Sequence, residues 1–304
     1  MVIWKHIADW AKRRPGALRL ADRLGRGRGK LRFLDRVGAP HRAPLRPDMT
    51  GWENCHLGAL WIGHATVLLR IGGQTVLTDP VLANRIGLGL GFVTGGPARR
   101  VAPALRIAEL PHLDLILLSH AHFDHLDRPT LARLPRTTPV VTAGRTRDLI
   151  EDMGFADVTE LNWGEDRRFG DLRVQAWEVR HWGARTFVDS HRQACAYIIE
   201  AGGRRVLFGG DTAVGPHFRA AGKMDLAILG IGAYNPFIAA HATPEQAWKM
   251  AADVRADFVL PMHHSTFRLS HEPLGEPMER LRDVARRGME RVVASRIGEV
   301  WSLN

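Results

Sequence analysis

One run of this chain restricts its fold more than any other. The segment Leu113-Asp114-Leu115-Ile116-Leu117-Leu118 is short and almost wholly apolar, and it stops at Ser119-His120-Ala121-His122-Phe123-Asp124-His125-Leu126-Asp127. An apolar run of that length, bounded by a polar cluster, reads as a strand buried on both faces. Such strands belong to layered sheets covered by other elements, and the loop after the strand is a frequent address for functional side chains. Residues two apart in extended backbone face the same way, so His120 and His122 can grip one cation. Asp124 and His125 follow where the chain turns and can face a second. Neutral imidazole and carboxylate are ligands that zinc, iron and manganese accept. Two such ions about 3.5–4 Å apart are a recurrent hydrolytic device. The competing reading is a solvated histidine-rich loop.

A two-ion site needs more donors, and the sequence offers three, each just after an expected strand. His181 follows the run at 172–179, Asp211 follows 205–208 through Gly209-Gly210, and His263 follows 258–262. His181 would complete the first set with His120 and His122. His263 would complete the second with Asp124 and His125. Asp211, with two carboxylate oxygens, could bridge them. The glycines before Asp211 allow close backbone approach.

The same alternation of signals runs along the chain. Strands are expected at 57–62, 66–71, 74–78, 113–118, 140–143, 159–163, 172–179, 194–200, 205–208, 226–231, 258–262 and 298–302. Gly72-Gly73 and Gly202-Gly203 read as hairpin turns. Helices are expected after Asp127 as N-cap, at 145–153, at 244–254 after Thr243, and near 278–287. Residues 83–103 read as a loop. Strands that come first as hairpins and then alternate with helices indicate an α+β chain with an αββα sandwich, two mixed sheets flanked by helices.

Charge divides the chain. Residues 1–50 hold 13 Lys/Arg against 4 Asp/Glu, a balance of +9, whereas the other 254 hold 29 against 28, a balance of +1. A basic N-terminal arm, 1–50, is therefore expected beside a near-neutral catalytic domain, 51–304. The arm carries Lys12-Arg13-Arg14 and Arg26-Gly27-Arg28-Gly29-Lys30, and Ile3, Ile7 and Trp10 recur at helical spacing. It suits an anionic membrane surface, contact with nucleic acid, or a simple solvated extension. The first 20 residues lack the apolar core of a signal peptide, and no apolar run approaches the roughly 20 residues that span a bilayer. Two cysteines, Cys55 and Cys195, far apart, fit a reducing compartment. The expected location is the cytoplasm, with peripheral contact at the inner membrane surface through the arm.

With these motifs in hand, the chain resembles metallo-β-lactamase-fold hydrolases. The order His120-x-His122-x-Asp124-His125, His181, Asp211, His263 is that family's motif order. A more particular likeness is to N-acyl-phosphatidylethanolamine-hydrolysing phospholipases D. It is carried by Trp61-Ile62-Gly63-His64-Ala65-Thr66-Val67, Leu77-Thr78-Asp79-Pro80, Gly96-Pro97 with Arg99-Arg100, His181-Trp182, Phe208-Gly209-Gly210-Asp211-Thr212, Ile231-Gly232-Ala233-Tyr234-x-Pro236, His241-x-x-Pro244-Glu245 and His263-x-x-Thr266-Phe267. The chain departs from that family at His264, where the family has tryptophan, and in the arm.

The resemblance implies the metallo-β-lactamase fold with a dinuclear site at one edge, holding two divalent ions, zinc by preference, with iron or manganese as alternatives. It also implies that His241 acts at the phosphate. The expected chemistry is attack on a phosphodiester by a hydroxide bridging the two ions, with Asp124, Asp211, His241 and Tyr234 as the catalytic set. Tyr234 reads equally as a packed residue, and His64 equally as a structural hydrogen-bond partner. Arg99 and Arg100 read as solvated loop arginines, with a phosphate contact as the alternative. The remaining histidines, His264 among them, read as surface or core. Hydrolysis of a lactone, ester or amide on the same ions is the alternative activity. Nucleic-acid processing is disfavoured because the body is near neutral, and a metal-free interaction protein because all seven ligands are present.

Overall fold

The computed structural model describes residues 38–90, 93–186 and 188–303. The arginine- and lysine-rich stretches of the arm and its expected helix lie outside the described residues. In chain order the strands are β1 (Leu57–Gly63), β2 (Thr66–Ile71), β3 (Gln74–Thr78), β4 (Leu88–Leu90), β5 (Val93–Gly95), β6 (Leu115–Leu118), β7 (Val140–Ala143), β8 (Val158–Leu161), β9 (Asp166–Phe169), β10 (Leu172–Trp177), β11 (Ala196–Ala201), β12 (Arg204–Phe208), β13 (Leu226–Gly230), β14 (Phe258–Met262) and β15 (Val300–Leu303). Among the described residues three α-helices accompany them: α1 (Arg128–Leu131), α2 (Pro244–Asp253) and α3 (Glu276–Val284).

Two mixed sheets result, as expected. One runs β15-β1-β2-β3-β6-β7-β8 and the other β14-β13-β12-β11-β10-β9. Each begins as an antiparallel meander and turns parallel: β3, β6, β7 and β8 pair in parallel, as do β12, β13 and β14. Two glycine pairs close the hairpins β2–β3 and β11–β12. Their tips meet. A Cβ on Gly72, whose φ is 53°, would lie 2.6 Å from Gly202 N, so only glycine fits there.

Period-two alternation assigns each face. Leu57, Ala59 and Trp61 of β1 point between the sheets, where they join Leu115, Leu117, Tyr197, Ile199, Phe208 and Ile228. Leu60 and Ile62 point outward and pack with Leu68, Ile116, Leu118, Leu126 and Leu131. On the far side of the second sheet, Leu207, Ala227 and Leu229 pack under Ala247, Met250, Ala251, Met278 and Leu281 of α2 and α3. Because β1 and β6 are buried on both faces, their sequences are continuous apolar runs. Truncating any one of these leucines to alanine would cost about 2–5 kcal/mol.

Several local expectations are revised. Residues 145–153 form not one helix but two short 3-10 turns, Arg147–Leu149 and Glu151–Met153. Glu160 accepts the backbone N–H groups of Thr146 and Arg147 and so caps the first of these turns. The 83–103 loop contains the β4–β5 hairpin. The segment 38–50, grouped with the arm on charge, is knitted to the body. His41 bridges to Val101, and Leu45 N–H donates to Ile297 O at 3.3 Å. Among the described residues no helix is long and apolar enough to cross a membrane.

Candidate metal centre

The strand ends converge on one point. β3 runs into Asp79, β6 into Ser119 to Asp127, β10 toward His181, β12 into Asp211 and β14 into His263. Two bonds stitch the sheets together there: Tyr197 Oη–H donates to Leu118 O at 2.9 Å, and Cys195 N–H to Ser119 O at 2.9 Å. Gly210, with φ 54°, backs directly onto Ser119; a Cβ there would lie 2.9 Å from Ser119 Cβ. Its freedom lets β12 close on β6.

The expected donors fall into two adjoining groups. His120, His122, His181 and Asp211 form one; Asp124, His125 and His263, joined by His64, form the other. In the first, His122 Nδ1 lies 2.8 Å from His120 Nε2 and 3.2 Å from His181 Nε2. In the second, His125 Nε2 lies 3.1 Å from His263 Nε2, and Asp124 Oδ2 lies 3.3 Å from His263 Nε2. Asp211 Oδ2 touches both groups, at 3.9 and 3.8 Å from His120 and His181 and at 3.1 and 3.2 Å from His125 and His263.

Hydrogen bonds outside these groups set the tautomers. Ser119 Oγ–H donates to Asp79 Oδ2 at 2.6 Å, so Ser119 Oγ is left to accept from His120 Nδ1–H at 2.9 Å. His125 Nδ1–H donates to Asp79 Oδ2 at 2.6 Å, and His181 Nδ1–H to Ala240 O at 3.0 Å. Each ring therefore turns its Nε2 inward, which is how ligating imidazoles are held. Asp79 is the functional residue that the spacing argument missed. Its signal was the one used for the others: a carboxylate directly after a strand, in Thr78-Asp79-Pro80.

The donor chemistry fits divalent cations. His122 Nδ1 faces two other ring nitrogens at hydrogen-bond distance, and one shared proton cannot satisfy three such atoms. Asp211 Oδ1 is buried without a protein partner. A cation resolves both. Burial, with neighbouring histidines, holds His122 down to about 3, and burial, against Asp211, holds His181 to about 4, so both keep their lone pairs at neutral pH. Burial opposes a charge on His263, but Asp211 and Asp124 outweigh it and lift that ring to about 9.

Other expected residues separate. His241 joins the centre: its Nδ1 lies 3.8 Å from Asp211 Oδ2, and its ring centroid lies 5.0 Å from that of His181. Tyr234 gives its hydroxyl proton to Glu276 at 2.7 Å, under the Arg280 guanidinium. Arg280 also grips Glu245, at the start of α2, with two bonds of 2.9 and 2.8 Å. Arg99 is not a solvated loop residue. It is 1% exposed, donates to Val81 O at 2.5 Å and Ala83 O at 2.9 Å, and lies over Phe267. A polar loop predicts exposure, but the carbonyls that engage Arg99 come from a loop folded back by tertiary contacts. His264 is buried against Trp61, with ring centroids 4.6 Å apart.

Comparison with known proteins bears on the fold and the family. The model of a beta-lactamase superfamily domain matches residues 74–264, from β3 to just beyond His263. An N-acyl-phosphatidylethanolamine-hydrolyzing phospholipase D of Caenorhabditis elegans is 32% identical over 271 residues, 81% of this chain and 75% of that one. A Mycobacterium tuberculosis protein is 33% identical over 253 residues, 77% of this chain, and the chain spans 66% of that relative's length. Igni18, a metallo hydrolase of the archaeon Ignicoccus hospitalis, shares the fold with a TM-score of 0.61 at 19% identity, over 82% of this chain and 98% of that one. On the domain match, and with two mixed sheets that carry its candidate donors, this chain belongs to the beta-lactamase superfamily.

Proposed function

We propose that the protein is a dinuclear phosphodiesterase of phospholipase D type. Its substrate would be a phospholipid or a related phosphodiester. His120, His122, His181 and Asp211 would hold one ion, and Asp124, His125, His263 and Asp211 the other. Zinc suits this donor set, as do iron and manganese. When bound, two such ions lower the pKa of a shared water and neutralise charge at phosphorus. The observation that carries the phosphodiester reading is the similarity to the Caenorhabditis elegans enzyme, together with His241 standing beside Asp211.

The chain's own groups then have distinct tasks. Asp79 and Ser119 hold two imidazoles in the ligating tautomer. Asp211 spans both groups. Burial keeps His241 well below its ordinary pKa, against the pull of Asp211, so it meets the substrate as a neutral N–H donor. An incoming phosphodiester anion raises its proton affinity. Water supplies oxygen to phosphorus as the P–O bond to the headgroup alcohol breaks; the proton that water loses is taken up by the neutral His241, whose imidazolium form passes it to the departing oxygen. Tyr234, Glu276 and Arg280 act through Glu245, clamping the segment that carries His241. The basic arm would bring this site to an anionic membrane surface.

A substrate panel tests the reading. Bis-p-nitrophenyl phosphate and N-acyl-phosphatidylethanolamine in mixed micelles should turn over, with two ions bound per chain, and His122→Ala should abolish both activities. Turnover of lactones alone would overturn it in favour of the lactonase alternative.

A further inference from the structure

We propose that His64 is a positioning residue for Asp124: its Nε2–H donates to Asp124 Oδ2 at 2.9 Å and fixes how that carboxylate faces the second donor group. The inference rests on the dinuclear reading above and adds a residue that the seven-ligand motif does not contain.

His64 lies in the turn between β1 and β2, with φ at 57°. Left-handed backbone costs a non-glycine residue about 1–2 kcal/mol and persists where the surroundings over-determine it. They do so here. His64 N–H donates to Thr266 Oγ1 at 2.8 Å, and its carbonyl accepts from Trp61 Nε1–H at 2.8 Å and from His263 N–H at 3.1 Å. The outcome is a fully buried ring whose centroid lies 4.2 Å from that of His263 and whose Nε2 meets Asp124.

The far side of the ring separates positioning from ligation. A ligating imidazole passes its outer N–H to an acceptor, as His120 does to Ser119, His125 to Asp79 and His181 to Ala240. His64 Nδ1 is buried with no partner. Were Nε2 bound to a cation, Nδ1 would have to bury an unsatisfied N–H, a costly arrangement. With the proton on Nε2, Nδ1 is only a bare lone pair, and the ring's single N–H goes to Asp124. His263 Nδ1 lacks a partner as well. However, His263 Nε2 faces His125, Asp211 and Asp124 at 3.1, 3.2 and 3.3 Å, a ligand's surroundings.

The test is zinc titration of the full-length, chelator-stripped protein against a chromophoric competitor, for wild type, His64→Asn and His64→Gln. Asparagine tolerates left-handed backbone but its side chain is too short to reach Asp124; glutamine carries an amide N–H near the Nε2 position. His64→Asn should weaken the second ion about 10- to 100-fold, leave the first unchanged, and be largely rescued by His64→Gln. Two ions held with wild-type affinity by His64→Asn, or both lost equally, would overturn the inference while leaving the dinuclear reading intact. A wild-type protein that takes up only one ion would overturn both.

Discussion

Asp79 Oδ2 lies 2.6 Å from His125 Nδ1, and both side chains are fully buried. The same carboxylate accepts Ser119 N–H at 2.7 Å and Ser119 Oγ–H at 2.6 Å. One acidic group thus orients an imidazole of each donor group, His125 directly and His120 through Ser119. Asp79→Ala should lower metal affinity about 10- to 100-fold at both groups. Calorimetric zinc titration would check this, and an effect confined to one ion would contradict the shared role.

His241 should matter in proportion to how much the leaving group needs a proton. His241→Ala should cut kcat about 10²- to 10⁴-fold on a phospholipid, whose alcohol leaves poorly. It should change turnover of bis-p-nitrophenyl phosphate far less, with two ions still bound. Equal losses on both substrates would point to a structural role.

Arg99 braces the loop that follows β3. Arg99→Met keeps the apolar stem over Phe267 but strands the carbonyls of Val81 and Ala83. The expected cost is about 2–4 kcal/mol in urea unfolding. A raised KM with unchanged stability would instead mark Arg99 as a substrate contact.

The Glu245–Arg280 pair should leave a pH signature. Arg280 holds the Glu245 carboxyl down to about 2, against burial. A depressed acid stabilises the fold above its unfolded value of about 4.3, and that contribution fades as pH falls toward 2. Both side chains are about a third exposed or more, so Glu245→Gln should cost only about 0.5–1 kcal/mol at pH 7. The deficit should shrink by pH 3. A deficit that grew on acidification would refute the assignment.

The sequence by itself determined the two-sheet architecture and the seven candidate donors. Both were local signals: apolar runs of strand length, glycine-pair turns, and histidines or aspartates placed directly after them. The ligand positions were legible because each follows its strand in the chain. Asp79 stands directly after its strand as the donors do, but its role, like those of His64 and Arg99, was not readable in this way, since nothing local distinguishes a buried carboxylate, turn histidine or loop arginine from an exposed one. Their roles depend on partners far along the chain: Asp79 on Ser119 and His125, His64 on Asp124 and His263, Arg99 on Phe267. Only the packing of one sheet edge against the other brings those groups within hydrogen-bond reach. Tertiary structure therefore decided which tautomer the candidate donors adopt and which way each carboxylate faces, while the chain order alone had already marked the strand ends where those donors stand.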